Sequence, residues 1–271
     1  MTQKRLVDEL ALVRSDISHG VATVSLDSPD NRNALSGRLC AQLLAHVTAA
    51  VHDDGVRVVV LTHTGPVFCS GADLKEKNPQ RRAAAARDFA GVLELLWTSS
   101  KPVVVRLAGP ARAGGIGLVA ASDFALAADT AAFAFTEVRI GVVPAVISVP
   151  LRHRVVPHAL YRLLLTGEAF NAQHAMSIGL LSSVATIGAL DEEVRHFVEM
   201  LLLAGPKAWA GTKRLLRADT ASIAAELSTM QEVSAEFFRS DEAREGMRSF
   251  AERRSPAWTA GTRRPVTAAE N

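Results

Sequence analysis

The sequence predicts an α/β fold, on the basis of three observations along its 271 residues. Strand-like runs rich in β-branched residues alternate with helical segments over the first part of the chain, which is typical of parallel sheets. Two of these runs are followed by glycine-containing loops. From Asp191 onward the strand pattern stops, and four helical segments predict a helical C-terminal region.

The N-terminal elements are predicted by local patterns. Residues 12–27 should form a hairpin, because the second half alternates in hydropathy and a Ser-His-Gly turn divides the segment. Ser36 is a suitable N-cap for a helix that runs to about His52, in which apolar side chains recur every four residues. The run VRVVVLT at 56–62 is rich in β-branched apolar residues, which predicts a buried strand.

The following elements repeat this order. We expect a helix at about 81–97, a buried strand at 103–107 and a further helix that opens near Gly115. Residues 133–137 (FAFTE) should form a short apolar strand that ends in one carboxylate, Glu137. Four C-terminal helices are predicted at 191–203, 206–217, 222–239 and 241–253. The third of them should bury a face made of Ile223, Leu227, Met230, Val233 and Phe237.

The composition excludes several classes of protein. Hydrophobic residues make up 48% of the chain and charged residues 21%, which excludes a disordered chain. The net charge of +2 gives no basic surface that would predict nucleic-acid binding. The apolar runs are too short for a membrane span, the N-terminus has no apolar signal region, and the 2 cysteines form no disulfide framework. We therefore expect a cytoplasmic protein without nucleic-acid or membrane partners.

One motif matches a dinucleotide-binding pattern without the required context. Residues 115–120 (GIGLVA) fit GxGxxA, but that pattern needs a tight turn directly after a strand. Here the segment 108–114 separates the end of the strand from Gly115. The 8 histidines show no zinc-type spacing, so no metal site is predicted.

Three segments carry residues that a pure scaffold would not need. Residues 68–75 and 108–118 are loops after buried strands, and residues 133–137 end in Glu137. Loops at the carboxyl ends of parallel strands form a ligand crevice, and two converging backbone N–H groups can bind an oxyanion. A carboxylate in an apolar pocket supplies a proton-transfer group. By residue type alone, an equally weighted alternative is that the glycines form tight turns and Glu137 lies on the surface.

Six segments together make the sequence similar to the enoyl-CoA hydratase/isomerase (crotonase) superfamily over most of its length. They are 29–35 (PDNRNAL), 67–76 (VFCSGADLKE), 101–103 (KPV), 109–123, 133–144 and 249–258 (SFAERRSPAW). The resemblance implies a crotonase-type spiral of ββα units and a helical C-terminal region that builds a homotrimer or a dimer of trimers. It also implies an acyl-CoA thioester substrate and no cofactor beyond the coenzyme A that is part of that substrate.

The resemblance also assigns roles to individual residues. It implies that the backbone N–H groups of Ala72 and Gly114 form the oxyanion hole and that Glu137 is an acid/base group. The remaining substrate-binding positions fall on Arg32 (near the coenzyme A phosphates), Asp73, Leu74, Lys75 and Gly117.

Two departures from the family pattern narrow the expected substrate. The second glutamate of the hydratases falls at the position of Gly117, and residues 141–148 (GVVPAVIS) contain fewer glycines than is usual. Both departures resemble the branch of methylglutaconyl-CoA and isohexenylglutaconyl-CoA hydratases, which act on branched unsaturated acyl-CoAs. We expect Gly117 to leave room for a bulky acyl group. We also expect Gly117→Glu to fold normally, because Glu is the better helix former, and to point its carboxylate towards Glu137.

The sequence therefore predicts an enoyl-CoA hydratase, a lyase of fatty acid metabolism with Glu137 as its acid/base group. Two alternatives stay open: another crotonase-type reaction, such as double-bond isomerisation, and a non-catalytic acyl-CoA-binding protein. The chain would divide into an α/β core with the acyl-CoA site (1–190), a helical region (191–258) and a flexible tail (259–271).

Overall fold

The structure, a computed structural model, describes residues 11–76, 78–217 and 223–259. Its strands are β1 (Val13–Ser18), β2 (Val21–Leu26), β3 (Val58–His63), β4 (Val103–Leu107), β5 (Ala111–Arg112), β6 (Phe124–Ala128), β7 (Ala132–Ala134), β8 (Ala169–Asn171) and β9 (Ser183–Ala185). Its helices are α1 (Gly37–His52), α2 (Pro79–Thr98), α3 (Gly114–Ala121), α4 (Ala145–Arg154), α5 (Pro157–Thr166), α6 (Ala172–Ser177), α7 (Leu190–Leu202), α8 (Pro206–Leu216), α9 (Ile223–Phe238) and α10 (Asp241–Ala251). Short 3-10 helices lie at Pro29–Asn31, Glu137–Ile140 and Ala257–Thr259.

The strands form two sheets. The larger has the order β1-β2-β3-β4-β6-β9, and the smaller has the order β5-β7-β8. In the larger sheet β1 pairs with β2 antiparallel, and each later pair is parallel. Parallel neighbours end at the same edge of a sheet, so the loops that follow β3 and β4 lie side by side.

Apolar layers cover both faces of the larger sheet. Val59 and Leu61 of β3 belong to the layer that includes α1, α2 and α3. Val58 and Val60 belong to the opposite layer, which includes Val194 of α7. Burial on both faces explains why β3 is apolar along its length rather than alternating.

Most of the local predictions are confirmed. β1 and β2 form the predicted hairpin, β4 has the predicted bounds, and Ser36 caps α1 by accepting a hydrogen bond from the Leu39 amide. β3 begins two residues later than predicted, at Val58. The Val56 amide donates to the Asp53 carbonyl at 3.0 Å, which keeps Val56 in the turn after α1.

The structure differs from the sequence-based expectation after α3, where the strand β6 (Phe124–Ala128) is one of the elements that were not predicted. Residues 145–185 fold into α4, α5, β8, α6 and β9, a stretch for which the sequence patterns predict no element. β8 and β9 have 3 residues each, too few to show a period. Glu137 opens a 3-10 helix after β7 has ended at Ala134, so it does not lie at the end of a strand.

The C-terminal helices lie where the sequence predicts them. α9 packs against α2 and α4, and its inner face begins with Ile223 and Leu227 as expected. Phe237, however, is 38% exposed, and Ser234 and Phe238 face a cavity instead. The helical repeat of 3.6 residues carries the buried face to these positions.

The predicted division at residue 190 stays a prediction, and residues 260–271 of the predicted tail lie outside the described residues. Among the helices that the structure describes, none combines the length and the apolar character that crossing a bilayer requires.

α10 packs closely on the 3-10 helix that begins with Glu137. A Cβ atom at Gly246 would lie 2.2 Å from the carbonyl oxygen of Ile140, and a Cβ atom at Gly141 would lie 2.6 Å from the backbone of Glu242. Gly141 also has a φ of +70°, which side chains disfavour. The two glycines therefore let the backbones touch, and they fix the Glu137 segment against the C-terminal region.

Replacement of Gly246 by alanine should destabilise the protein by about 2 kcal/mol or more, because the added Cβ would overlap the Ile140 backbone. The matched control is Gly211→Ala in α8, where an added Cβ has no neighbour within 4 Å in the described structure. Alanine is intrinsically favoured inside helices by up to about 1 kcal/mol, so the control should be neutral or stabilised. Urea unfolding measures both changes, and equal effects would contradict the close packing of α10.

Candidate active site

A cavity of about 500 Å³ lies beside the loops that follow β3 and β4. Its walls come from these loops, from α1 and α2, from the Glu137–Ile140 helix and α4, and from α9 and α10. Apolar side chains make up much of the lining, among them Leu35, Phe89, Val146, Ile147, Phe238 and Phe250. The two loops and the carboxylate that the sequence singles out therefore meet at one cavity.

Ala72 lies on the wall of this cavity, in the loop after β3. It forms a parallel bridge with Leu35, whose N–H donates to the Gly71 carbonyl at 2.8 Å and whose carbonyl accepts from the Asp73 amide at 3.4 Å. In such a bridge the N–H group of the opposite residue points the other way. The Ala72 amide accordingly has no backbone acceptor among the described residues.

Gly114 brings a second amide to the same wall, at the end of the segment 108–114 that links β4 to α3. It is the first residue of α3, where an N–H group has no acceptor within the helix and carries the positive end of the helix dipole. The preceding Ala113 is held by a 3.1 Å hydrogen bond from its N–H to the Ala134 carbonyl, and it has a φ of +46°. In the part of the chain that the structure describes, the Gly114 amide also has no backbone acceptor.

Glu137 contributes a carboxyl group to the cavity wall. Its side chain as a whole is half-buried, but Oε2 is fully buried and has no hydrogen-bond partner among the described residues. Burial raises the pKa of the Glu137 carboxyl to about 7. The backbone N–H of the same residue lowers this pKa, but its effect is smaller than that of burial. A carboxyl group with this pKa can accept or donate a proton at neutral pH.

The other carboxylates of the cavity wall are already hydrogen-bonded to the backbone. Asp73 Oδ1 accepts from the Lys75 amide at 3.0 Å, and Glu76 Oε1 accepts from the Asn78 amide at 2.8 Å. Within the described residues no three His, Cys, Asp or Glu side chains are grouped so that they could hold a metal ion.

The predicted substrate-binding residues are brought together only in part. Arg32, Asp73 and Leu74 line the cavity with Ala72 and Gly114, and Arg32 is exposed at its edge. Lys75 is also exposed, and it does not line the cavity.

Gly117 does not line the cavity either, because the side chain of Ile147 covers it. A Cβ atom at Gly117 would lie 2.5 Å from Ile147 Cγ2 and 3.4 Å from Phe89 Cζ. Ile147 of α4 is itself part of the cavity wall. The expectation that Gly117→Glu folds normally is therefore wrong, because helix propensity cannot offset an overlap with a branched, buried side chain. Gly117 is a packing contact between α3 and α4.

Several residues of the cavity wall were not identified as site residues from the sequence. Phe89, Ile147 and Phe238 belong to the apolar faces of helices, and sequence alone does not separate a cavity wall from a core. Arg82 lies over the ring of Phe238 at 5.4 Å, which joins α2 to α9 across the cavity. Arg112 had a detectable signal, since it is a charged residue inside an otherwise small and apolar loop.

Comparison with known proteins agrees with this arrangement. The sequence pattern of the family described as enoyl-CoA hydratase/isomerase matches residues 16–261. The crystal structure of an enoyl-CoA hydratase from Mycobacterium avium superimposes with a TM-score of 0.84 and 41% identity, over 92% of this chain and 99% of that one. A carnitinyl-CoA dehydratase of Proteus mirabilis is 31% identical over 88% of this chain and 94% of its own. The (E)-benzylidenesuccinyl-CoA hydratase of Thauera aromatica is 29% identical over 91% and 98%.

The fold is the crotonase fold, as the resemblance of the sequence implied. The chain belongs to the enoyl-CoA hydratase/isomerase family.

Gly117→Glu alone should be strongly destabilised, by about 2 kcal/mol or more, because its Cβ would overlap Ile147 Cγ2. Adding Ile147→Ala removes that methyl group and should recover part of the loss. Val146→Ala, the neighbouring cavity residue, is the matched control and should give no recovery. A double-mutant cycle in urea measures the coupling, and additive effects of Gly117→Glu and Ile147→Ala would contradict the contact.

Proposed function

We propose that the protein hydrates 2-enoyl-CoA thioesters. The observation that carries the proposal is the buried, unpartnered Oε2 of Glu137 on the wall that also bears the amides of Ala72 and Gly114. The relatives named as hydratases and as a dehydratase support the same class of reaction.

In this mechanism the thioester oxygen accepts hydrogen bonds from the Ala72 and Gly114 amides. Glu137, as the carboxylate, takes a proton from water while the water oxygen attacks the β-carbon. The electrons of the double bond move to give an enolate, whose oxygen carries the charge that the two amides stabilise. The proton then returns to the α-carbon, so the product contains one added water molecule and Glu137 is a carboxylate again.

Double-bond isomerisation is the second candidate, and one observation favours it. Ile147 occupies the space above Gly117, and Asp73 and Glu76 are held by backbone amides, so Glu137 is the unpartnered carboxylate of the described cavity wall. A single carboxylate can carry one proton between two carbons of an enolate without activating water.

Incubation with crotonyl-CoA and with a branched enoyl-CoA in ¹⁸O-labelled water separates these functions. Hydration removes the conjugated thioester absorbance and adds labelled oxygen to the product. A moved double bond without label indicates an isomerase, and binding without turnover indicates an acyl-CoA-binding protein. The branched substrate is included because Gly117 and residues 141–148 resemble the methylglutaconyl-CoA and isohexenylglutaconyl-CoA hydratases. Assembly as a trimer or a hexamer stays a prediction of the resemblance.

Glu137→Gln should lower turnover by about a hundred- to ten-thousandfold, because the acid/base group is lost. For the wild type, kcat/KM should rise as the pH rises through about 7, the pKa at which the carboxylate forms, and this limb should be absent in the variant. At a pH between the usual pKa of a glutamate and the raised pKa of Glu137, the folded protein holds a proton that the unfolded chain has released. The free energy of unfolding therefore falls as the pH rises through this range. The variant should therefore be more stable than the wild type at pH 8. Near-normal turnover in the variant would refute the role of Glu137.

Gly114→Pro should reduce turnover by about a hundred- to a thousandfold, because it removes one oxyanion donor. Gly114→Ala keeps the N–H, but its Cβ would lie 2.5 Å from Leu35 Cδ1. The informative comparison is therefore the pair Leu35→Ala with Gly114→Ala, which keeps the donor and also relieves the contact. Its kcat should exceed that of Gly114→Ala alone. If Gly114→Pro and this pair have equal kcat, keeping the N–H makes no difference to turnover and the donor role is refuted.

A further inference from the structure

The two loops that carry the proposed oxyanion amides are joined to each other by a series of hydrogen bonds. The Phe68 amide donates to the Pro110 carbonyl at 3.0 Å, and the Arg112 amide donates to the Cys69 carbonyl at 2.9 Å. At the start of the series the acceptor is a side chain instead, because the Ala108 amide donates to Nε2 of His63 at 3.0 Å. His63 is the last residue of β3, and Ala108 directly follows β4.

His63 is enclosed and has a defined protonation state. The side chain is 8% exposed, and its ring meets Phe68 edge to face at a centroid distance of 5.5 Å. Because Nε2 accepts from an amide, the proton of the neutral ring must lie on Nδ1. Nδ1 itself is buried and makes no hydrogen bond with the residues described.

The two loops are closely packed against each other at this point. A Cβ atom at Gly109 would lie 2.0 Å from the carbonyl oxygen of Pro66, so the two backbones are in contact next to the His63 hydrogen bond. If Ala108 moved, this contact would keep the loop from relaxing next to it. The movement would instead displace Ala111, Arg112 and Gly114 further along the loop.

We propose that His63 is a positioning residue for the oxyanion hole: the hydrogen bond from the Ala108 amide to Nε2 fixes where the Gly114 amide lies relative to the Ala72 amide. The inference rests on the proposed function in one respect, namely that these two amides bind a thioester carbonyl. His63 itself has no contact with the cavity.

The arrangement makes the hole sensitive to acid. Burial lowers the pKa of His63, and the positive charge of Arg106, which is paired with Asp191, lowers it further. The backbone groups of Thr64, Gly65 and Val67 around the ring raise this pKa instead. Protonation of Nε2 replaces the acceptor with a donor that faces the Ala108 amide. The hole should therefore be intact at neutral pH and should be lost reversibly as the pH falls below the lowered pKa.

The test compares His63→Gln, which keeps an acceptor, with His63→Leu, which has a similar size and none. The probe is 4-dimethylaminocinnamoyl-CoA, a push–pull thioester whose absorption moves to longer wavelength when its carbonyl is polarised. We expect the Gln variant to keep the wavelength shift of the wild type. The Leu variant should lose most of the shift, and its kcat on crotonyl-CoA should fall about tenfold to a hundredfold with little change in KM.

The pH dependence supplies a second readout that a purely structural role would not alter. Below the pKa of His63 the shift of the bound probe should decline in the wild type and stay constant in His63→Gln. An equal wavelength shift in the Leu and Gln variants, or the same acid decline in the Gln variant as in the wild type, would overturn the proposal. If His63→Leu does not fold, as judged by circular dichroism, the pH series of the Gln variant decides.

Failure of the proposed function can be recognised separately. A wild-type protein that shifts the probe but does not hydrate crotonyl-CoA refutes the hydratase assignment and leaves the test of His63 in force. A wild-type protein that binds the probe without any wavelength shift refutes the oxyanion hole, and the inference about His63 with it.

Discussion

The pairing of the loop after β3 with the loop after β4 is the interaction on which the rest of this structure depends. Parallel strands bring the two loops to one edge, and the bridge between Cys69 and Ala111 continues sheet-like pairing beyond the strands. A further bridge, between Leu35 and Ala72, adds the segment before α1. Two amides can converge on one ligand atom only if both are fixed by such contacts, because an oxyanion donor displaced by a fraction of an ångström loses much of its effect.

This fixed geometry includes a strained residue. Ala113 has a φ of +46° and a ψ of −119°, a conformation that only glycine adopts readily. Such strain persists where the surroundings determine the conformation. Here Gly115 packs on Cys69, to which an added Cβ would come within 2.7 Å, and α3 is buried along nearly its whole length. The close packing of α3 thus holds the turn that places Gly114 on the cavity wall.

The sequence predicts those parts of the molecule that have a local physical signal. The hairpin of β1 and β2, the cap at Ser36 and the strand β4 follow from alternation, side-chain hydrogen bonding and β-branching. The resemblance implied that Ala72, Gly114 and Glu137 belong to one site, and in the structure all three line one cavity. It could not predict that Ile147 covers Gly117, because that contact depends on how α4 packs on α3. Elements as short as β8 and β9 likewise depend on tertiary pairing and leave no period in the sequence.

The chemistry of Glu137 depends on residues that are remote in sequence. Its raised pKa comes mainly from burial, and α10, which packs against the Glu137–Ile140 helix, supplies part of the surrounding protein. Ser249 and Phe250 of α10 line the same cavity, and Gly246 lets the helix approach the backbone beside Glu137. In a cavity open to water at this point, the same carboxyl group would titrate near its usual pKa and would be a weaker base at neutral pH. The C-terminal region is therefore part of the candidate active site, and it encloses the cavity next to Glu137, the proposed acid/base group.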